Sequence, residues 1–181
     1  MKSSSLLALT AFLGLGTAPL LADIMVGGAA MPATKNIVEN ALNSQDHTTL
    51  VAAVKAAGLV DALMGEGPFT VFAPTNAAFA GLPAGTVETL LKEENKATLA
   101  GVLTYHVVAG KYTAEDLMKS IKKGDGKVEM KTLAGGTLTF SMNGPMNVVV
   151  TDGKGGVANI STYDVLQKNG VIHVIDRVLM P

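Results

Sequence analysis

The chain has 181 residues, of which 14 are basic and 15 acidic, so its formal net charge is −1. This balance predicts neither a nucleic-acid partner nor attraction to an anionic membrane surface. The absence of cysteine excludes disulfides, thiolate nucleophiles and zinc–thiolate sites, while 48% apolar residues suffice for one domain with its own core.

The first 22 residues have the features of a secretory signal peptide. Lys2 supplies a positive charge, Leu6 to Leu15 form an apolar run too short to span a bilayer, and Leu20-Leu21-Ala22 form a cleavage site. A retained N-terminal anchor is the alternative. We expect a secreted or periplasmic protein with no membrane span in its mature form.

Residues 23–34 are rich in glycine and alanine, which predicts a flexible lead-in before a single domain over residues 35–181. The domain begins with a helical pattern, because apolar residues recur at intervals of three and four between residues 36 and 64. Asp46 is the predicted N-cap of the second helix, and Thr86 that of a later one. Thr113 and Asp116 resemble a capping box at the start of the last clear helix.

Residues 67–79 carry no charge and predict a buried strand that leads directly into a helix. Phe69 and Val71 lie on one face of the strand and Phe72 on the other, so we expect both faces to be buried. Pro74 ends the strand because proline cannot donate to a sheet ladder, and Thr75 caps a helix that includes Phe79.

The second half of the chain has the two-residue period of β-strands. Short runs rich in β-branched residues, over residues 127–132, 137–143, 146–152 and 157–161, are separated by glycine-containing turns and predict hairpins. The segment around Ile172, His173 and Val174 is apolar on both faces and predicts an interior strand. Helices followed by strands indicate an α+β fold.

The residues that could carry chemistry show no recognised catalytic or metal-binding spacing. His47, His106 and His173 are far apart in sequence, and no serine hydrolase, phosphate-loop or dinucleotide motif is present. Asp152 beside a glycine-rich turn could contact calcium, although one carboxylate does not supply six to eight oxygens. We therefore predict no enzyme, no metal site and no cofactor.

Three segments, in order, resemble the first, central and last motifs of the fasciclin-like domain family. They are residues 70–79, the Tyr105-His106 pair, and residues 169–176 with the following Val178-Leu179 and Pro181. The resemblance covers about residues 36–181. It implies a wedge-shaped β-sandwich of about seven strands beside a helical lobe, in an extracytoplasmic, non-enzymatic adhesion module.

The resemblance also implies two interaction sites. Tyr105 and His106, with Val107 and Val108 beside them, match a pair implicated in integrin binding in animal relatives; the alternative is that they are buried and join helix to sheet. The tripeptide Asp164-Val165-Leu166 lies where those relatives carry an adhesion tripeptide, but here Tyr163 precedes it, unlike the animal sequences. We expect Asp164 to lie on a loop, either as a contact or as a plain turn residue.

These observations lead to two hypotheses of function. The first is a binding module for cell adhesion or protein–protein contact, whose partner is a cell-surface or matrix protein. With one domain, strong attachment would require weak self-association or a partner arrayed in many copies. The second is a carrier of an apolar small molecule, because some fasciclin-like proteins are reported to bind carotenoids. The residues expected to form the structural core are Phe69, Val71, Phe72, Phe79, Ile172, His173 and Val174.

Overall fold

The computed structural model describes residues 23–181, and the predicted signal peptide over residues 1–22 lies outside this range. The helices of the described part are α1 (Ile37–Asn43), α2 (Thr48–Ala57), α3 (Val60–Met64), α4 (Asn76–Ala80), α5 (Thr86–Leu90), α6 (Lys96–Tyr105) and α7 (Ala114–Lys123), with 3-10 turns at Gln45–His47 and Glu93–Asn95. The strands are β1 (Ile24–Val26), β2 (Ala29–Met31), β3 (Phe69–Pro74), β4 (Val107–Ala109), β5 (Lys127–Lys131), β6 (Thr137–Met142), β7 (Val148–Thr151), β8 (Val157–Gln167) and β9 (Gly170–Ile175).

Seven of these strands form one curled sheet in the order β4-β3-β9-β8-β7-β6-β5. Only β3 and β9 run parallel; the other neighbours are antiparallel. The two edges approach each other, because Val108 bridges Thr132 and the N–H of Leu133 donates to the Val107 carbonyl. The predicted α+β fold with about seven strands is confirmed. The two layers of the predicted sandwich are the two halves of one sheet that curls into a near-barrel.

Strands β3 and β9 separate two hydrophobic cores. Val71 and Val174 pack with the helices in the first core, whereas Phe72 and Ile175 face the interior of the curled sheet, where α7 closes the second core. Because successive side chains of a strand point to opposite faces, a strand buried on both sides is mostly apolar, and its polar side chains, here Thr70 and His173, need hydrogen-bond partners. This position explains why the segment over residues 69–74 carries no charge.

Two of the predicted helix starts are confirmed by their hydrogen bonds. The Thr75 hydroxyl accepts from the Ala78 N–H at the start of α4, and Thr113 and Asp116 form a reciprocal capping box at the start of α7. The prediction for Thr86 was wrong, because α5 begins at Thr86 itself and its N-cap is Gly85, whose φ of 81° suits glycine.

The predicted N-cap Asp46 was also wrong. Asp46 lies in the 3-10 turn before α2, and the side chain of Asn76 performs the capping from another helix. Its Oδ1 accepts from the Thr49 N–H (3.0 Å) and the Thr48 hydroxyl (3.2 Å), while its Nδ2 donates to the Gln45 carbonyl. The cap therefore comes from tertiary structure.

Residues 23–34, which we expected to be a flexible lead-in, include the two-stranded hairpin β1–β2. Val26 and Met31 are buried in the first core, so the hairpin packs against the domain. Glycine at positions 27 and 28, both with positive φ, makes the tight turn. Between residues 23 and 181, no helix has the length and apolar character needed to cross a membrane.

Candidate functional site

The Tyr105-His106 pair lies at the junction between α6 and β4 and is buried, with exposed fractions of 1% and 2%. The Tyr105 hydroxyl donates to the Thr137 carbonyl and accepts from the Gly153 N–H, each at 2.8 Å. Tyr105 thus ties the end of α6 to β6 and to the turn between β7 and β8.

His106 connects the same helix to the C-terminal segment. Its Nδ1 is 2.8 Å from the Val102 carbonyl, and its Nε2 accepts from the Leu179 N–H at 2.9 Å. These partners fit a neutral imidazole with its proton on Nδ1. Burial lowers the pKa of His106 to about 4, although the Val102 carbonyl and Asp152 act in the opposite direction.

Val107 and Val108, the neighbours expected to assist the pair, are buried as well. Val107 belongs to the first core and Val108 to the second. The structure therefore places this whole predicted interaction segment in the interior, in the arrangement that joins helix to sheet.

The second predicted site, Asp164-Val165-Leu166, lies within β8 and not on a loop. Asp164 is half-buried in a β-bulge and has a φ of 55°, Val165 is buried in the first core, and Leu166 has an exposed fraction of 37%. Because alternate residues of a strand face opposite sides, the tripeptide does not form a continuous exposed patch.

Asp164 makes one contact with helix α7 and one with the neighbouring strand β9. Its Oδ1 accepts from the Ala114 N–H at 2.7 Å, at the first residue of α7, and its own N–H donates to His173 Nδ1 at 3.3 Å. His173 Nε2 lies 2.8 Å from the Tyr112 carbonyl, so this imidazole carries its proton on Nε2. Burial lowers the pKa of His173.

The residues expected in the structural core lie mostly in the interior. Those that are buried are Val71, Phe72, Phe79, Ile172, His173 and Val174, whereas Phe69 at the start of β3 is half-buried. The Phe72 ring lies 5.1 Å from the ring of Phe140 and 5.6 Å from that of His173. Phe72 is therefore central to the second core.

A wide open cleft lies elsewhere on the surface, and sequence reasoning missed it. It has a volume of about 820 Å³. One wall is the connection between α4 and α5 (residues 81–86), and the other consists of the β7–β8 turn (residues 152–157) and the C-terminal segment (residues 176–180). The walls consist of residues far apart in sequence, so their spacing does not indicate a cleft. The one signal of a special position in the sequence was Arg177, the only arginine of the chain.

Asp152, the residue considered for calcium, is a buried residue of the cleft wall that accepts hydrogen bonds from the backbone of this wall. Its Oδ1 accepts from the N–H groups of Lys154 and Gly156, and its Oδ2 accepts from the Met180 N–H. The carboxylate therefore fixes the turn and the C-terminal segment. Over residues 23–181 there is no group of three or more acidic, histidine or cysteine side chains that could hold a metal ion.

A small apolar cavity lies inside the helical lobe, between α1, α2, α3, α6 and β3. Its volume is about 40 Å³, and its lining includes Val38, Leu50, Val54, Leu63 and Leu103. Ligand pockets usually have volumes of about 300 to 1,000 Å³. The cavity is therefore too small, as it stands, for a drug-sized or larger apolar molecule.

Comparison with known proteins identifies relatives of the whole domain. The model of the family described as "Fasciclin domain" matches residues 45–181. Protein sll1483 of Synechocystis sp. is 52% identical over 159 residues, which are 87% of this chain and 79% of that protein. Transforming growth factor-beta-induced protein ig-h3 of Sus scrofa is 41% identical over 132 residues, 73% of this chain but only 17% of that longer protein.

A solved structure shows the same fold. The FAS1 domain pair from the insect cell adhesion molecule fasciclin I superposes with a TM-score of 0.70 at 21% identity, covering 81% of this chain and 51% of that one. The arrangement of helical lobe and curled sheet is thus shared with a domain that occurs there as a pair.

Proposed function

Because this chain belongs to the fasciclin domain family, we propose that it is a non-enzymatic binding module that holds another macromolecule outside the cytoplasm. The observation that carries this proposal is the family match over residues 45–181. A domain of the same fold occurs in an insect cell adhesion molecule. We propose cell adhesion or protein–protein contact as the role, a cell-surface or matrix protein as the partner, and a secreted or periplasmic location.

The two histidines described above support a non-enzymatic role. His106 and His173 are buried, and each uses both ring nitrogens in hydrogen bonds to the backbone. A general acid or base must reach the proton it transfers. These imidazoles instead connect elements of the fold.

Among the six residues predicted to interact, we assign direct contact to Leu166, with Asp164 beside it. Leu166 is the most exposed of the six, and an exposed leucine near the end of a strand can be covered by a partner. Tyr105, His106, Val107 and Val165 then act indirectly, by holding the sheet and α6 in place.

In the experiment, surfaces are coated with purified variants, and the amount of each component of the native extracellular fraction that they retain is measured. Leu166→Ser is paired with Leu133→Ser, because Leu133 has a similar exposed fraction (47%) but lies after β5. We expect protein produced from the full chain to retain a component of the native extracellular fraction, and Leu166→Ser alone to reduce that retention. Equal retention by both variants would remove Leu166 from the contact, and no retention by the unaltered protein would overturn the binding function.

The second candidate, a carrier of an apolar molecule such as a carotenoid, is favoured by the apolar lining of the cavity in the helical lobe. A carotenoid would require α1, α2 and α3 to move apart, because the cavity holds about 40 Å³. A visible absorption spectrum of protein purified from its own host tests this candidate. A co-purifying pigment would support it, and a colourless protein that still retains its partner would reject it.

A further inference from the structure

In the open cleft between residues 81–86 and residues 152–157, hydrogen bonds from buried side chains hold the backbone of one wall, which consists of the β7–β8 turn and the C-terminal segment. The Gly153 N–H is bound by the Tyr105 hydroxyl, and the Leu179 N–H is bound by His106 Nε2. Asp152 joins the same two segments through Lys154 and Met180. A surface held in this way loses little conformational entropy when a ligand binds, which favours affinity.

At the cleft, the acidic side chains have hydrogen-bond partners within the protein, whereas the basic side chains have no ion-pair partner among the described residues. Both carboxylates already have donors, because Asp152 accepts three backbone N–H groups and Asp176 accepts from the N–H and the side-chain amide of Asn159. The two cations, Lys154 and Arg177, are exposed, and neither lies within 4.0 Å of a carboxylate in the described part of the chain, where the single ion pair joins Glu115 to Lys119. The formal charges of the cleft lining balance, but both acids are held by hydrogen bonds to the protein, whereas the two cations have no carboxylate partner among the described residues and can pair with a ligand.

Apolar surface lies next to these cations. Val157 has an exposed fraction of 45%, and across the cleft lie the half-buried Leu82 and the exposed Pro83. A volume of about 820 Å³ is sufficient for several residues of an extended chain, and an apolar side chain beside a carboxylate would match the neighbouring valine and cations.

We propose that this cleft binds an extended acidic segment of a partner protein, with its carboxylates paired to Lys154 and Arg177 and an apolar side chain against Val157. The inference rests on the proposed binding function but uses a different surface, because Val157 and Leu166 lie near opposite ends of β8. Arginine suits this role because its planar guanidinium matches the two oxygens of a carboxylate.

The test measures binding of a short fluorescein-labelled peptide that alternates Glu with Leu and Gly, and of its counterpart with Gln at every Glu position. Protein produced from the full chain is compared with Lys154→Gln/Arg177→Gln and with the matched control Lys122→Gln/Lys168→Gln, in which two exposed lysines outside the cleft are replaced. Both double variants change the net charge equally.

We expect the Glu peptide to bind more tightly than the Gln peptide, and fluorescence anisotropy to show about tenfold weaker binding for the cleft variant only. Amide chemical shifts should change at residues 81–86 and 153–157. Equal affinity of the two peptides, or equal loss in the two double variants, would overturn the proposal.

The outcome is separable from that of the proposed function. If the unaltered protein and the cleft variant retain the native partner equally, the cleft is not its binding surface but the binding function stands. If the unaltered protein retains nothing, the binding function fails whatever the peptides show.

Discussion

Asp164 accepts a hydrogen bond from the Ala114 N–H at 2.7 Å, across 50 positions of sequence. Ala114 is the first residue of α7, so a residue of the central sheet supplies one of the acceptors that the start of this helix needs. The bulge in β8, with its left-handed backbone at Asp164, directs the carboxylate toward α7.

This contact predicts that Asp164→Ala lowers the free energy of unfolding by about 1 to 2 kcal/mol, because alanine supplies no acceptor and tolerates positive φ poorly. Asp164→Asn should lose less, since asparagine keeps an oxygen acceptor and adopts this backbone more readily. Urea unfolding followed by circular dichroism measures both. Equal losses in the two variants would contradict the capping role.

Tyr105→Phe removes one hydroxyl and leaves two backbone groups, the Thr137 carbonyl and the Gly153 N–H, without their partner. We expect a loss of about 1 to 3 kcal/mol, because unpaired backbone groups in a partly buried site are costly. Hydrogen exchange at the Gly153 amide should accelerate more than at the Leu179 amide, which His106 holds. Unchanged exchange at Gly153 would show that the hydroxyl does not fix the turn.

Stability should fall as the pH decreases from about 6.5 to about 4. The pKa of His106 is lowered to about 4 in the folded state, and burial also lowers the pKa of His47 and His173. Between the folded and unfolded pKa values the unfolded chain binds protons that the folded chain does not, so acid favours unfolding. The contribution of His106 is complete above its unfolded pKa, and at most about 3 kcal/mol is lost by the time the pH reaches its folded pKa.

The variant that isolates this effect is His106→Gln, which keeps an acceptor for the Leu179 N–H but cannot titrate. It should be less stable at pH 7 and show a shallower decline with acid, measured as urea midpoints across the same range. A decline as steep as that of the unaltered protein would assign the acid sensitivity to other groups.

Phe72→Ala should destabilise the protein by about 3 to 5 kcal/mol, since the ring is fully buried against Phe140 and the cavity left behind cannot collapse between two strands. Met146→Ala is the matched control, because Met146 is 69% exposed and its loss should stay within about 0.5 kcal/mol. Thermal and urea unfolding measure both. A small effect at Phe72 would contradict its central position.

The local part of the fold could be predicted from sequence because it is encoded in neighbouring residues. The uncharged segment at Phe72, the capping box at Thr113 and the period of the hairpin strands each carry their signal within a few positions. The hairpin at residues 24–31 was missed because each strand has only three residues, too few for a two-residue period to show, and β2 consists only of alanine and methionine.

The sites depend on residues brought together from distant parts of the chain, and sequence spacing cannot reveal this. Asn76 caps α2 from a different helix, and Asp164 binds α7 from β8. Arg177 and Lys154 line one cleft, whose other wall is a loop after α4. Single sequences show which residues are present, whereas such pairings follow from topology.

The parallel pairing of β3 with β9 also constrains how the protein is made. Strand β9 follows β3 by about 100 residues, so on the ribosome one edge of the Phe-Thr-Val-Phe segment has no strand to pair with until residues 170–175 emerge. The centre of the molecule therefore closes only after both strands have been synthesised, and chaperones that bind exposed aromatic segments can act during that interval.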